Sequence, residues 1–322
     1  MNLREKGSTI FRNSVLFLGL MAGSIAQAGE SYIAVEANSG RIVLELDADQ
    51  KRPVASLTKI ATAMVVLDWA HLSQTKMGQI AVVPAGAAAI GGSNPMGLIP
   101  GDQIALREAM YSMLLGSDNV SALTLATHVG RSIQAQSRLG GTPTAAFVGE
   151  MNNLARVIGM KKTRFHNPHG LDSTGRKGLS TARDMARLCI YAMRDTGFQF
   201  YVKQKQRTIS SSRFGQSRGF KVSNTHKLLG TAGISGIITG TSQFAGSCAA
   251  TSSEKKPIVK KLETGATRLT PRRMIVIALG SADRYGRTKG LLFQGWGLYD
   301  AWKVQGQLVT NPRSILSVPT PQ

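Results

Sequence analysis

The spacing of apolar and polar positions along the chain predicts a group of strands, then helices, then strands and a final helix. Short apolar runs bounded by turn residues are typical of strands, and apolar positions recurring every three or four residues are typical of helices. Strands are expected over residues 31–37, 41–46, 233–241, 245–251 and 274–279. Helices are expected over residues 56–69, 106–115, 120–129, 145–158, 181–193 and 287–302.

This order of elements predicts an α+β fold. Strands from both ends of the chain can join one antiparallel sheet flanked by helices, with a mainly helical lobe, roughly residues 71–200, inserted between them. The length suits one large domain or two interleaved ones, and we place the domain at residues 29–303. Residues 304–322 contain three prolines and little apolar patterning, which predicts a tail.

The first residues have the composition of an export signal. Basic side chains precede a short apolar run at residues 15–21, and Ala26-Gln27-Ala28 has the small-x-small pattern that signal peptidase cuts. We predict a signal peptide over residues 1–28, cleaved near Ala28, and therefore an exported protein of the periplasm or cell-wall space. No later stretch approaches the ~18 to 20 continuous apolar residues of a membrane span.

The chain is strongly basic, with 39 Lys and Arg against 18 Asp and Glu and a formal net charge of +21. Such an excess indicates a polyanionic neighbour, which for an exported protein is an anionic wall polymer, lipopolysaccharide or a membrane surface; simple solubility is the alternative. Residues 252–273 hold seven basic and two acidic residues in a long connection, either a contact surface for an anionic polymer or a solvated loop. Nucleic acid is not an expected partner, because the sequence has no base-stacking aromatic pattern.

Cys189 and Cys248 are the two cysteines of the chain, and both fall in predicted regular elements. We expect buried free thiols rather than a disulfide. The sequence has no Cys–His spacing typical of a metal site, and the HxxH of His166 and His169 is interrupted by Asn167-Pro168, which breaks a helix. We therefore expect no metal and no other cofactor.

Ser56 and Lys59 form a Ser-x-x-Lys motif at the start of a strongly apolar predicted helix. A serine needs a nearby base to attack at neutral pH, and a lysine whose pKa is lowered by burial can serve as one. The spacing places both side chains on one helix face, and the helix N-terminus favours developing negative charge. Three other Ser-x-x-Lys sequences lie in polar segments with no apolar helix behind them. Ser56 is therefore the predicted nucleophile.

Two further motifs follow Ser56 along the chain. Ser117-Asp118-Asn119 separates two predicted helices, where the hydroxyl can relay a proton and the Asn119 amide can hold a substrate carbonyl or the lysine. The same motif could act only as a helix N-cap, but after a matching Ser-x-x-Lys the catalytic interpretation is favoured. Thr239-Gly240 lies on a predicted strand where a pocket-lining Lys-Thr-Gly is expected, and Ile238 occupies the lysine position.

Together these motifs resemble the low-molecular-mass penicillin-binding proteins, the serine D-alanyl-D-alanine carboxypeptidases and their endopeptidase relatives. The resemblance covers nearly the whole mature chain. Besides the Ser-x-Asn and Thr-Gly elements, it rests on Pro53-Val54-Ala55-Ser56-Leu57-Thr58-Lys59, Pro100-Gly101-Asp102, Ala245-Gly246-Ser247-Cys248 and, expected outside the active site, residues 165–171 and 180–184. It implies the β-lactamase and penicillin-binding-protein fold.

The resemblance also implies a set of roles. Ser56 attacks the carbonyl of a terminal D-alanine linkage in a peptidoglycan stem peptide, Lys59 accepts its proton, and Ser117 relays the proton to the leaving amine. The backbone N–H groups of Ser56 and Thr241 form the oxyanion hole, and β-lactam antibiotics acylate Ser56 as substrate mimics. The implied substrate-binding residues are Asn119, Thr239, Gly240, Thr241 and Arg287.

Ile238 is the departure from the family pattern, because the lysine expected there helps to bind the terminal carboxylate of the substrate. An apolar side chain cannot make that charge-assisted hydrogen bond, which is worth about 1.5 to 3 kcal/mol. Three explanations are open. Another cation compensates, and Arg287 resembles a family arginine that could do so. Alternatively, the substrate is a cross-linked peptide cut by an endopeptidase, or the protein is a catalytically impaired wall-binding relative. A class A-like β-lactamase is a further alternative, but its positioned glutamate is missing, since Glu150 falls on a predicted amphipathic helix.

Overall fold

A computed structural model of the protein describes residues 29–137, 140–172 and 177–320. The predicted signal peptide lies outside these residues. The strands are β1 (Ser31–Glu36), β2 (Ile42–Leu46), β3 (Arg52–Pro53), β4 (Ile80–Val82), β5 (Gln103–Ala105), β6 (Leu179–Ser180), β7 (Gln206–Arg213), β8 (Gln216–Ser223), β9 (Ile234–Ser242), β10 (Gly246–Lys261) and β11 (Thr267–Leu279). The helices are α1 (Lys59–Leu72), α2 (Leu106–Leu115), α3 (Asn119–Ser137), α4 (Pro143–Val157), α5 (Ala182–Ala192), α6 (Thr196–Val202) and α7 (Arg284–Val304).

Strands from the two ends of the chain meet in one antiparallel sheet, which confirms the predicted α+β fold. The strand order is β2-β1-β11-β10-β9, so β1 pairs with β11 and places Ile33 opposite Ile277. Side chains alternate between the two faces of a strand, and both faces of β1 are buried. Ile33 and Val35 pack in the large core shared with the helical lobe, whereas Ala34 packs with Trp296 in a smaller cluster beneath α7.

The middle of the chain forms the predicted helical lobe, but it also contains strands that the sequence analysis missed. Four strands pair in the order β4-β5-β7-β8. β4 and β5 are three residues long, and the β7–β8 hairpin leaves most of its side chains at least partly exposed, so no apolar alternation marks these strands. Among the helices within the described ranges, none combines the length and apolar character needed to cross a membrane.

Residues 252–273 form a hairpin rather than the predicted connecting loop. β10 and β11 continue to pair beyond the core of the sheet, with Lys260 opposite Arg268 near the turn. The prediction of a loop was wrong because the segment has few apolar residues, so no strand pattern is visible in its sequence. Pairing with a neighbouring strand, not a local apolar pattern, keeps it extended.

The predicted tail packs against the body of the protein. The Leu316 side chain is only 4% exposed, and its backbone N–H donates to the carbonyl oxygen of Gly40 at 2.8 Å. The Arg194 guanidinium donates to the carbonyl oxygens of Val318 at 3.0 Å and Pro319 at 2.7 Å. The local pattern of residues 304–322 does not reveal this packing, because it depends on contacts with residues far away in the sequence.

Both cysteines are buried free thiols, which confirms the prediction. Cys189 lies on α5 and Cys248 lies on β10. Burial raises the pKa of both thiols, so neither has the thiolate character of a reactive cysteine.

Candidate active site

Ser56 lies where the chain enters α1. It belongs to a turn of 3-10 helix, Ala55–Thr58, that runs directly into that helix. Ala55 has a φ of 46°, in the left-handed region, which bends the backbone just before the serine. A Cβ atom on Gly170 would lie 1.9 Å from the carbonyl oxygen of Ala55. A Cβ atom on Gly240 would lie 2.8 Å from the backbone nitrogen of Ser56, so two glycines allow a loop and strand β9 to approach Ser56 closely.

The Lys59 side chain is fully buried beneath Ser56. Its Nζ atom lies 3.0 Å from the Oγ atom of Ser56 and 3.5 Å from the Oγ atom of Ser117. The same amine donates to the Oδ1 atom of Asn119 at 2.7 Å and to the carbonyl oxygen of His169 at 2.8 Å. Three chain segments, those that contain Ser56, Ser117 with Asn119, and His169, therefore converge on one amine.

Burial lowers the pKa of Lys59 to about 7, and the nearby Asp118 carboxylate opposes this shift. Asp118 lies at the start of α3, where it accepts hydrogen bonds from the backbone N–H groups of Val120 at 2.9 Å and Ser121 at 3.0 Å. The Ser112 hydroxyl donates to the same carboxylate at 2.7 Å. Asp118 thus performs the capping role considered for this motif. Lys59, with a pKa near 7, is suited to accept a proton at neutral pH.

The other two residues of the Ser-Asp-Asn motif contact Ser56 and Lys59. Ser117 has a φ of 57°, and its hydroxyl donates to the Oγ atom of Ser56 at 2.9 Å. Asn119 is buried, and its amide spans between Lys59 and the carbonyl oxygen of Gly91, to which Nδ2 donates at 3.0 Å. Asn119 therefore makes the contact with the lysine, which is one of the two roles predicted for it.

Residues 165–171 contribute to this site, although the sequence analysis expected them to lie outside it. The His169 carbonyl accepts a hydrogen bond from Lys59, and the preceding carbonyl, that of Pro168, accepts one from Thr62 on α1 at 2.6 Å. Burial, and then the charge of Lys59, lower the pKa of the His169 imidazole to about 3. The expectation was wrong because backbone carbonyls make these contacts, and a search for reactive side chains does not find them. The one sequence feature that could have indicated these contacts is the Asn-Pro-His-Gly turn at residues 167–170.

Strand β9 carries the predicted Thr-Gly element along the edge of the sheet. Ile238 is fully buried in the core, and strand alternation places it on the same face as Gly240. Thr239 is also buried, with its hydroxyl 3.4 Å from that of Thr225, whereas Thr241 is exposed. The residue at the expected lysine position is therefore an apolar core side chain.

The arginine that reaches this strand is Arg284 rather than Arg287. Arg284 donates to the carbonyl oxygen of Gly240 at 2.8 Å and to the Thr241 hydroxyl at 2.7 Å. The guanidinium of Arg287, which the sequence analysis placed in the substrate pocket, pairs instead with Glu30 at 2.8 Å. Both arginines lie in the first turn of α7, so sequence spacing alone did not distinguish them.

Comparison with known proteins shows the family of the chain. Residues 21–261 match the peptidase S11 family, described as D-alanyl-D-alanine carboxypeptidase. The chain belongs to this family. The D-alanyl-D-alanine carboxypeptidase DacC of Escherichia coli is 31% identical over 67% of this chain and 51% of its own length. The D-alanyl-D-alanine endopeptidase of Pseudomonas aeruginosa is 30% identical over 69% of this chain and 66% of its own length.

This S11 family member is also similar to solved structures. The crystal structure of the Streptomyces K15 DD-transpeptidase is similar with a TM-score of 0.68 and 25% identity, over 83% of this chain and 96% of that one. The resemblance to low-molecular-mass penicillin-binding proteins is thus confirmed for both family and fold. The chain spans about half the length of the two Escherichia coli carboxypeptidases that it matches.

Proposed function

We propose that the protein is a serine D-alanyl-D-alanine carboxypeptidase that acts on peptidoglycan stem peptides through an acyl-enzyme at Ser56. The observation that supports this proposal is that the Ser56 hydroxyl contacts two groups that can accept or donate a proton. The Oγ atom of Ser56 lies 3.0 Å from the amine of Lys59 and 2.9 Å from the hydroxyl of Ser117. Membership of the S11 family supports the choice of substrate.

Acylation begins when the neutral amine of Lys59 takes the proton of Ser56 and the Oγ atom bonds to the carbonyl carbon of the penultimate D-alanine. The C–N bond to the terminal D-alanine then breaks, and the proton passes through the Ser117 hydroxyl to the leaving amine. The backbone N–H groups of Ser56 and Thr241 stabilise the oxyanion, where losing one donor typically costs ~100- to 1000-fold in rate. Water then cleaves the ester and restores the free serine.

The terminal carboxylate of the substrate needs a cation, and Ile238 does not supply one. Arg284 is the compensating cation in this proposal, because its guanidinium already contacts the Thr241 hydroxyl beside the nucleophile. A guanidinium can bind a carboxylate through two parallel hydrogen bonds. Thr241 and Arg284 together would then hold the end of the peptide in place of the missing lysine.

Endopeptidase activity is the second candidate, and the apolar Ile238 favours it. A cross-linked peptide carries its terminal carboxylate elsewhere, so its cleavage needs no lysine at this position. The similarity to a D-alanyl-D-alanine endopeptidase of Pseudomonas aeruginosa supports the same candidate.

The test uses the wild-type protein and a Ser56→Ala variant with three probes: fluorescent penicillin, a pentapeptide ending in D-Ala-D-Ala, and a cross-linked muropeptide dimer. A covalent penicillin adduct and release of D-alanine, both lost in Ser56→Ala, would support the carboxypeptidase. Cleavage of the dimer without release of D-alanine would establish the endopeptidase instead. The absence of both adduct and cleavage in the wild-type protein would refute the enzymatic proposal and leave a wall-binding relative.

Penicillin is expected to acylate Ser56 as a substrate mimic and to leave slowly. The β-lactamase alternative requires a carboxylate that activates water against the acyl-enzyme. Glu150 lies on α4, where it lines a groove with Trp69 and Leu72 and accepts a hydrogen bond from Asn153 at 3.1 Å. Rapid turnover of penicillin, measured as loss of drug under excess drug, would support the β-lactamase, whereas a long-lived adduct supports the carboxypeptidase.

Export is also part of the proposal, because the substrate lies outside the cytoplasm. The support is the basic, apolar and small-residue pattern of residues 1–28. Expression of the full chain in a bacterial host, followed by mass measurement of the secreted or periplasmic product, tests it. A product that begins at Gly29 is expected, and retention of the full-length chain in the cytoplasm would contradict export.

A further inference from the structure

Asp172 is an acidic residue at the edge of the active site. Two residues earlier, Gly170 packs so closely against Ala55 that a Cβ atom on the glycine would lie 1.9 Å from the carbonyl oxygen of Ala55. The side chain of Asn167 fixes this loop, because its Oδ1 atom accepts a hydrogen bond from the backbone N–H of Gly170 at 2.6 Å. The backbone that leads to Asp172 is therefore held against the residue that precedes Ser56.

The Asp172 carboxylate lies on the same side of strand β9 as the nucleophile. Its Oδ2 atom accepts a hydrogen bond from the Ser242 hydroxyl at 2.9 Å. That hydroxyl oxygen itself accepts a hydrogen bond from the backbone N–H of Ala245 at 3.0 Å. Ser242 and Gly240 are two residues apart on β9 and share a face, and Gly240 approaches the backbone nitrogen of Ser56. Asp172 therefore contacts β9 two residues beyond the point where this strand meets the nucleophile.

One oxygen of this half-buried carboxylate, Oδ1, accepts no hydrogen bond from a described residue. Burial raises the pKa of the Asp172 carboxyl, and the Ser242 hydrogen bond and the charge of Lys177 oppose this shift only in part. The Lys177 amine lies 3.7 Å from the ring centre of Phe244 and forms no ion pair with Asp172. An ammonium group supplied by a ligand would complete the hydrogen bonding of the carboxylate.

The position of Asp172 along β9 determines which part of a bound peptide it meets. In the described part of the chain β9 is the last strand of its sheet, so its outer backbone groups can pair with an extended peptide. The proposed function places the scissile carbonyl at the backbone N–H of Thr241. The cation for the terminal carboxylate belongs earlier on the strand, at the position of Ile238, or comes from Arg284, which contacts Thr241. The peptide that precedes the scissile bond therefore runs toward the end of β9, where Ser242 contacts Asp172.

We propose that Asp172 binds an ammonium group on the substrate side chain that directly precedes D-Ala-D-Ala, an inference that rests on the proposed function. The substrates concerned are stem peptides whose third residue is a diamino acid with a free side-chain amine. This ammonium group donates to the free oxygen of the carboxylate, while Ser242 holds the other oxygen and so fixes its orientation. Asp172 thereby determines specificity on the acyl side of the scissile bond and takes no part in breaking it.

The experiment uses the full chain and two pentapeptides that end in Lys-D-Ala-D-Ala and differ only in acetylation of the lysine side-chain amine. The wild-type protein is expected to release D-alanine from the free-amine peptide with a kcat/KM higher by about tenfold or more, the value of one charge-assisted hydrogen bond. Asp172→Asn keeps an oxygen that can accept from Ser242. It should lower kcat/KM for the free-amine peptide by the same factor and leave the value for the acetylated peptide nearly unchanged. Ser242→Ala should reduce the preference in part, because the carboxylate loses its fixed orientation.

Glu263→Gln is the matched control, because it removes an exposed carboxylate at the β10–β11 turn and should leave both kcat/KM values unchanged. A fluorescent penicillin without an ammonium group should acylate Asp172→Asn at the wild-type rate and with the same adduct lifetime, which also shows that this variant is folded. An equal decrease in kcat/KM for the two peptides, or a longer adduct lifetime, would overturn the inference, because Asp172 would then support the fold or activate water. Equal kcat/KM values of the wild-type protein for the two peptides would overturn the inference alone. No release of D-alanine from either peptide would overturn the proposed function and the inference with it.

Discussion

The amine of Lys59 lies 3.0 Å from the hydroxyl of Ser56 and is completely shielded from solvent. The same burial that packs the first turn of α1 into the core lowers the pKa of this lysine to about 7. Its hydrogen bonds go to an amide oxygen, a backbone carbonyl and two hydroxyls, so no described carboxylate contacts it directly, and only the nearby charge of Asp118 opposes the lowered pKa. The lowered pKa of the amine beside Ser56 and the packing of the core are therefore properties of one side chain.

The rate at which fluorescent penicillin acylates Ser56 is expected to rise with pH through a midpoint near 7. The proton acceptor is the neutral amine of Lys59, and burial lowers its pKa to about 7, so the acceptor form becomes scarce at lower pH. The second-order acylation rate, measured from about pH 5 to about pH 9, gives the midpoint. Lys59→Met serves as the control and should show a low rate without this rise. A rate that falls with pH would contradict the role of Lys59 as the base.

Asn119→Asp is expected to move this midpoint upward by about 1 to 3 pH units. The substitution replaces the amide oxygen 2.7 Å from the Lys59 amine with a carboxylate, which favours the charged lysine. Asn119→Ala removes the contact and adds no charge, so it should lower the acylation rate without raising the pH midpoint. The same pH series measures both variants. An unchanged midpoint in Asn119→Asp would show that this contact does not control the protonation of Lys59.

Arg284→Gln is expected to lower kcat/KM for a pentapeptide ending in D-Ala-D-Ala by about tenfold or more, the value of a charge-assisted hydrogen bond. The guanidinium that contacts the Thr241 hydroxyl would be lost, and with it the proposed partner of the terminal carboxylate. For a pentapeptide with an amidated C-terminus, the same substitution should lower kcat/KM much less. Arg287→Gln is the matched control, because Arg287 pairs with Glu30 and should leave both rates nearly unchanged. An equal decrease in kcat/KM for the two peptides would show that Arg284 stabilises strand β9 and does not bind the terminal carboxylate.

Ile238→Lys is expected to raise carboxypeptidase activity while lowering thermal stability. The new amine restores the cation expected at this position of β9, but it enters a fully buried apolar site, where a charge is costly. D-Alanine release and thermal unfolding of the same preparation measure the two effects. Ile238→Met, a change of similar volume without charge, should alter neither strongly. A variant that unfolds at higher temperature with no gain in activity would contradict both parts of the prediction.

Leu316→Ala is expected to lower the free energy of unfolding by about 2 to 3 kcal/mol. Leu316 is 4% exposed in the C-terminal segment, so its truncation leaves a cavity against the body of the protein. Leu308→Ala, at a position that is 69% exposed, should change the stability by less than about 0.5 kcal/mol. Urea unfolding of both variants gives the comparison. Equal values would mean that the docked segment does not contribute to stability.

The sequence predicted those parts of the molecule whose pattern is local. Helix α2 was expected over residues 106–115 and spans Leu106–Leu115, because its apolar face repeats at the helical period without interruption. Ser56, Lys59 and Ser117, which lie within hydrogen-bond distance of one another, could be singled out from the sequence because each belongs to a short motif at the start of a helix. The missing cation at Ile238 was visible for the same reason.

Tertiary structure decided the features that depend on residues far apart in the chain. The choice between Arg284 and Arg287 depends on how α7 packs against β9, and the His169 carbonyl reaches Lys59 only because a loop folds against α1. The basic segment became a hairpin because two strands pair along it, although neither strand is apolar there. A local sequence pattern reflects the preference of each residue for a helix, a strand or a turn. Strand pairing, close contacts and burial depend on residues elsewhere in the chain, which that pattern does not include.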